Sequence, residues 1–208
     1  MKHRLLILAL VAAFPISLGA AEPKVLFEDR FDGKLADGWS WLRENPKTWR
    51  FHDGALEIRV ESGAADTVKN ALVREAPDRS KGKYAFEVTV TALAKPVRQF
   101  EQAGLTLYID GKPRYKLVKE LVDGKLWVVA APNKVPMEAD TVQLRLIVAG
   151  DTFEAQFRPE GKGEFKTAAK GKLPPPGKDQ ISIQCYNGPP DAEHWFRFRD
   201  FRILKLAD

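Results

Sequence analysis

Apolar and polar residues alternate with a period of two through most of the chain. Tyr84, Phe86, Val88 and Val90 alternate with Lys83, Ala85, Glu87 and Thr89. Leu105, Leu107 and Ile109 do the same, as do Val142, Leu144, Leu146 and Val148, then Phe153, Ala155 and Phe157. Such runs predict strands with one buried face, because successive strand side chains point to opposite sides. In the last strand Phe196, Phe198, Asp200, Arg202 and Leu204 are predicted on one face. Trp195, Arg197, Arg199, Phe201, Ile203 and Lys205 are predicted on the other. Asp53-Gly54, Asp110-Gly111, Asp123-Gly124 and Gly150-Asp151 separate the runs as hairpin turn pairs that tolerate positive φ. Pro174-Pro175-Pro176-Gly177 is a rigid break before the last two strands. Lys34 to Lys47 and the basic run Lys162 to Lys172 read as loops. About a dozen short strands without helical periodicity predict an all-β fold, a two-sheet antiparallel sandwich.

The first residues depart from this pattern. Met-Lys-His-Arg precedes an apolar run from Leu5 to Leu18, then Gly19-Ala20-Ala21. A basic start, an apolar stretch and small residues describe a signal peptide over 1–21, with cleavage after Ala20 or Ala21. The apolar run is shorter than the roughly 20 residues a bilayer crossing needs, so no membrane span is expected after cleavage. A periplasmic or secreted protein is the expectation. Residues 22–208 then form one domain, long enough to bury a core.

Cys185 is the only cysteine, which excludes a disulfide framework, a multi-cysteine zinc site and a lipoprotein anchor at the cleavage point. In an alternating run it reads as a buried small hydrophobe. The net charge of +5 falls to about +3 without Lys2 and Arg4. The basic residues are scattered and no recognition module accompanies them, so nucleic acid is not an expected partner. His52 and His194 are isolated turn residues in this reading.

The chain opens with Leu26-Phe27-Glu28-Asp29-Arg30-Phe31-Asp32-Gly33 and Gly38-Trp39. Trp49-Arg50-Phe51-His52-Asp53-Gly54-Ala55-Leu56 follows, and Phe198-Arg199-Asp200-Phe201-Arg202-Ile203 closes it. These segments resemble the concanavalin A-like lectin/glucanase superfamily. The segments from Gln99 to Asp110 and from Tyr115 to Gly124 resemble domain-of-unknown-function family 1349 and the C-terminal sandwich of family 43 β-xylosidases. The resemblance implies a jelly-roll of two curved antiparallel sheets and a link to carbohydrate metabolism. It also implies a structural calcium ion clamping the chain ends. The matching positions are Asp200, the carbonyl of Gly54, and an oxygen of Glu28 or Asp29. Calcium takes six to eight oxygens of these kinds. The alternative is that Asp200 pairs with an arginine, Arg50 or Arg30.

Related family 16 glycosidases align their carboxyls as Glu-x-Asp-x-x-Glu. Here Glu138-Ala-Asp140 starts that spacing, but Gln143 stands where the third carboxyl belongs. Glu101 and Glu120 remain as candidates for an acid/base pair, which hydrolysis requires on both sides of the bond. Sugar binding needs aromatic faces and fixed polar groups. Trp39 and Trp49 are expected in the core. Trp41, Tyr108, Tyr115 and Trp127, with Gln99, Gln102 and Lys116, are the candidates for a concave binding face. The leading expectation is an exported, monomeric, non-catalytic domain that binds a poly- or oligosaccharide. A divergent glycoside hydrolase or lyase using Glu101 and Glu120 is the alternative. An envelope structural or protein-interaction domain is the third.

Overall fold

The computed structural model describes residues 22–160 and 162–207. The leader lies outside the described residues. Fifteen strands form two sheets: β1 Lys24–Asp29, β2 Trp39–Leu42, β3 Trp49–Phe51, β4 Leu56–Arg59, β5 Ala71–Glu75, β6 Lys83–Ala92, β7 Gln102–Ile109, β8 Lys112–Val122, β9 Lys125–Ala130, β10 Asn133–Pro136, β11 Thr141–Ala149, β12 Thr152–Pro159, β13 Lys166–Lys172, β14 Asp179–Tyr186 and β15 Trp195–Leu206. The eight-stranded sheet runs β13-β12-β11-β6-β15-β4-β3, with β1 also paired to β15. The seven-stranded sheet runs β10-β9-β8-β7-β14-β5-β2. Every pairing is antiparallel, and the architecture is a jelly-roll β-sandwich.

The core lies between the sheets, where the alternating positions put it. Phe86, Val88, Val90, Leu144, Leu146, Phe157 and Phe198 meet Leu105, Leu107, Leu117, Val128, Ile181 and Ile183. Both residues of Asp53-Gly54, Asp110-Gly111 and Asp123-Gly124 have positive φ, as tight hairpins between right-twisted strands require.

The pattern breaks at β15. Asp200 takes φ of 52°, and the pairing with β6 shifts register between Arg199 and Arg202. This bulge inserts an extra residue, so the inward parity changes across it. Phe196 and Phe198 face the core before it, and Phe201 and Ile203 face the core after it. Strict alternation puts Phe201 and Ile203 on the face opposite Phe196 and Phe198, and the bulge brings all four to the same side.

Two expected loops contain strands. β2 lies within 34–47, because Trp39 and Trp41 pack against the core and draw their segment onto β5. β13 lies within 162–172 as the edge of the larger sheet. Its Ala168 and Ala169 are buried, while Lys166, Lys170 and Lys172 edge it with charge that discourages pairing with another chain.

Candidate functional site

The outward face of the seven-stranded sheet carries the densest set of buried polar side chains. Register explains why. Trp127 pairs with Glu120, Glu120 with Gln102, and Gln102 with Tyr186, so one row crosses β9, β8, β7 and β14 on a single side. Another row sets Lys116 beside Thr106, Ser182 and Val73. The alternate residues Leu105, Leu117 and Ile183 face the core, which sends these polar residues outward.

Gln102, Lys116 and Glu120 close a triangle. Lys116 Nζ donates to Gln102 Oε1 at 2.7 Å and to Glu120 Oε2 at 2.9 Å. Gln102 Nε2 donates to Glu120 Oε1 at 3.1 Å and to the Phe100 carbonyl at 2.8 Å. The amide thus fixes the ammonium and the carboxylate in one geometry. Nearby, Tyr108 Oη donates to the Ala65 carbonyl at 2.6 Å and lies 3.0 Å from Gln184 Oε1. Burial raises the Tyr108 pKa, with the Arg43 charge opposing. The segment around Ala65 and Val68 covers this end, with Val68 packed on Ala71, Val73 and Tyr186.

Among the described residues, two polar atoms on this face have no partner: Thr106 Oγ1 and Gln184 Nε2. Thr106 is 1% exposed and Gln184 is 0% exposed. An unsatisfied buried donor or acceptor costs about 1–3 kcal/mol. Both atoms are closed off from solvent, so they lie beneath the surface of the face and not on it.

The sequence candidates divide between this face and other places. Gln102, Lys116, Tyr108, Trp127 and Glu120 come together on it. Trp127 is half-buried, donates from Nε1 to the Val122 carbonyl at 3.1 Å and lies under Lys134. Gln99 sits at the rim, tied to Asp123 at 2.9 and 3.1 Å. Tyr115 instead faces the core and packs on Phe153 with ring centroids 3.9 Å apart. Trp41 pairs with the core residue Leu72 and packs on Trp49 at 4.9 Å. Residues two apart on a strand share a face, so Trp41 follows Trp39 inward. Thr106, Ser182 and Gln184 were missed. They lie in alternating runs whose polar positions read as solvated.

Glu101 and Glu120 do not form a facing carboxylate pair. Glu101 is fully buried, and its Oε1 lies 2.7 Å from His194 Nδ1. Its Oε2 accepts the backbone N–H groups of Val97 at 3.0 Å and Arg98 at 3.3 Å. His194 is therefore a buried partner rather than a turn residue. Glu120 is occupied separately by Lys116 and Gln102. Cys185 is buried in the core and its thiol pKa is pushed well up by burial, as an inert thiol requires.

Two of the carboxylates expected at the calcium site are engaged by the protein itself. Asp29 Oδ1 accepts Phe31 N–H at 2.7 Å, and Oδ2 accepts Ala36 N–H and Trp39 Nε1–H, each at 2.9 Å. Glu28 pairs with Arg202 at 2.7 Å. Both carboxylates serve N–H donors. Among the described residues, no group of three or more His, Cys, Asp or Glu converges. Glu28 and Asp29 are thus not free to ligate a calcium ion through their carboxylates.

No protein-family model and no curated protein matches the chain, so the family 1349 resemblance gains no support. Solved structures do match. The GH43 protein BlXynB of Bacillus licheniformis superposes with a TM-score of 0.73 at 20% identity, over 86% of this chain and 39% of that one. A xylan β-1,4-xylosidase of Bacillus halodurans gives 0.71 at 16% identity, over 91% and 41%. The alginate lyase AlgAT5, of polysaccharide lyase family 7, gives 0.60 at 8% identity, over 81% and 95%. The fold is a jelly-roll sandwich shared with carbohydrate-active proteins. At these identities the likeness is one of fold, and this chain spans about two-fifths of the first two proteins.

Proposed function

We propose that the protein is an exported, non-catalytic saccharide-binding domain whose ligand lies on the outward face of the seven-stranded sheet. The observation that carries the reading is the fixed Gln102–Lys116–Glu120 triangle there, whose Lys116 side chain is 30% exposed. Sugar hydroxyls both donate and accept, so they match such groups. The carbohydrate-active neighbours agree with this reading at the level of fold. The separate engagement of Glu101 and Glu120 favours binding over hydrolysis.

The test is the melting temperature of the mature protein with oligosaccharides of xylan, cellulose, mucin and alginate. A ligand at a hundred times its Kd stabilises by about 2.7 kcal/mol, roughly 5–10 °C for a domain of this size. The expected result is a shift for one glycan class, with that glycan recovered intact after prolonged incubation. Cleavage would establish an enzyme. No shift across the panel would overturn the saccharide reading.

A further inference from the structure

Phe100 is an anomaly in two ways. It takes φ of 66°, a left-handed conformation that costs a bulky residue energy, and it is 50% exposed. Phe31 also has positive φ, at 63°, but its ring is fully buried and core packing offsets the strain. The Phe100 ring has no comparable burial. Val97, 65% exposed, and Leu93, 43% exposed, extend the same apolar segment into water.

The segment is nevertheless firmly held. Phe100 N–H donates to the Leu121 carbonyl at 2.8 Å. Arg98 Nη1 donates to the Gly188 carbonyl and Asn187 Nδ2 to the Gln99 carbonyl, each at 2.6 Å. The buried Glu101 carboxylate caps Val97 and Arg98. A loop that was merely tolerated would not need these anchors. Strain maintained by surrounding bonds is a feature of ligand clamps.

The strained residue is also wired to the polar site. The Phe100 carbonyl accepts Gln102 Nε2, and Gln102 orients Lys116 and Glu120. Saccharide recognition needs an aromatic surface beside fixed polar groups. Tyr115 and Trp41 face inward and the Trp127 ring is covered by Lys134, so they do not supply it. We infer that Phe100 is the aromatic stacking platform of the site, taking the apolar face of a pyranose ring beside the Gln102–Lys116–Glu120 triangle. This inference rests on the saccharide-binding reading.

The experiment titrates wild type, Phe100→Ala, Phe100→Trp and Phe100→Gly with the same four oligosaccharide classes. Melting temperature and solution mass are measured alongside. Wild type is expected to bind one class, with affinity lost at least tenfold in Phe100→Ala and kept within about threefold in Phe100→Trp. Phe100→Gly should lose binding while melting no lower than Phe100→Ala, because glycine accepts positive φ without strain. That separates a binding role from a structural one. Equal affinity in wild type and Phe100→Ala would overturn the platform and leave the saccharide reading intact. A wild-type dimer that becomes a monomer in Phe100→Ala would mark an interface between copies and overturn it too. No binding by wild type would remove the saccharide reading itself.

Discussion

Glu57 is a fully buried carboxylate on the outward side of β4. Burial raises its pKa, but hydrogen bonds and charge from Arg197 and Arg50 outweigh that, so it titrates below its ordinary 4.5. Arg50 Nε donates at 2.7 Å, and Arg197 donates through Nη2 at 2.6 Å and Nε at 3.0 Å. A depressed carboxylate pKa contributes stability that is present above the unfolded value of 4.5 and lost as pH falls through the folded value. Glu57→Gln should therefore cost about 1.5–3 kcal/mol at pH 7, because it weakens the charge-assisted hydrogen bonds of two part-exposed arginines. It should also weaken the acid dependence of the urea midpoint below about pH 4.5. A variant with the same acid limb as wild type would show that Glu57 is not the group responsible.

At the scale of a strand, β8 carries a lysine where its pattern calls for an apolar residue. Lys119 pairs with Ala103 and Val128, both core residues, and is fully buried. Its Nζ donates to the Ala139 carbonyl, beyond β10. Burial pushes its pKa down from 10.5 to about 8, with Asp140 and Glu138 opposing. Between those values the unfolded chain binds the proton and the folded one does not, so this group makes stability rise with pH from about 8 to 10.5. Lys119→Met should stabilise the protein at pH 7 by about 1 kcal/mol or more and remove that rise. Wild-type and variant stabilities that stay parallel across the window would refute the assignment. β8 also shows where the sequence stops being readable. β6, β11 and β12 alternate cleanly, and the Asp-Gly turns announce their hairpins, so the sandwich was legible. In β8, Val118, Lys119, Glu120 and Leu121 are all buried, and no period distinguishes the inward lysine from the outward glutamate. The bulge at Asp200 was illegible for a related reason: one inserted residue changes parity without altering composition. The site was half legible. Gln102, Lys116 and Glu120 could be placed by strand parity. Glu101 and His194, 93 positions apart, meet only once the sheets have closed.

Across the whole molecule, buried polar contacts join the two sheets at opposite ends of β7. At its start, Glu101 meets His194, which leads into β15 of the other sheet. At its end, Ile109 pairs with Asp179, and Asp179 accepts Arg79 Nε at 2.6 Å. The Arg79 guanidinium also donates to the carbonyls of Gly150, in the β11–β12 turn, and Pro174. One side chain thus ties β14 to a turn of the opposite sheet. The first and last strands are joined by their pairing and by Glu28 with Arg202, while Asp29 organises the turn after β1 through Phe31, Ala36 and Trp39. Arg79→Ala should cost about 3–5 kcal/mol, because it leaves Asp179 buried without its counter-charge. For a domain of this size that is roughly 10 °C or more in melting temperature. Calcium or EDTA should leave the wild-type melting temperature unchanged. If EDTA lowered it as far as Arg79→Ala does, a bound cation would be holding the sandwich and the donor assignments at Glu28 and Asp29 would have to give way. If neither Arg79→Ala nor EDTA lowered it, the sheets would be held by their apolar core alone, and the arginine would be a passenger in the end it fills.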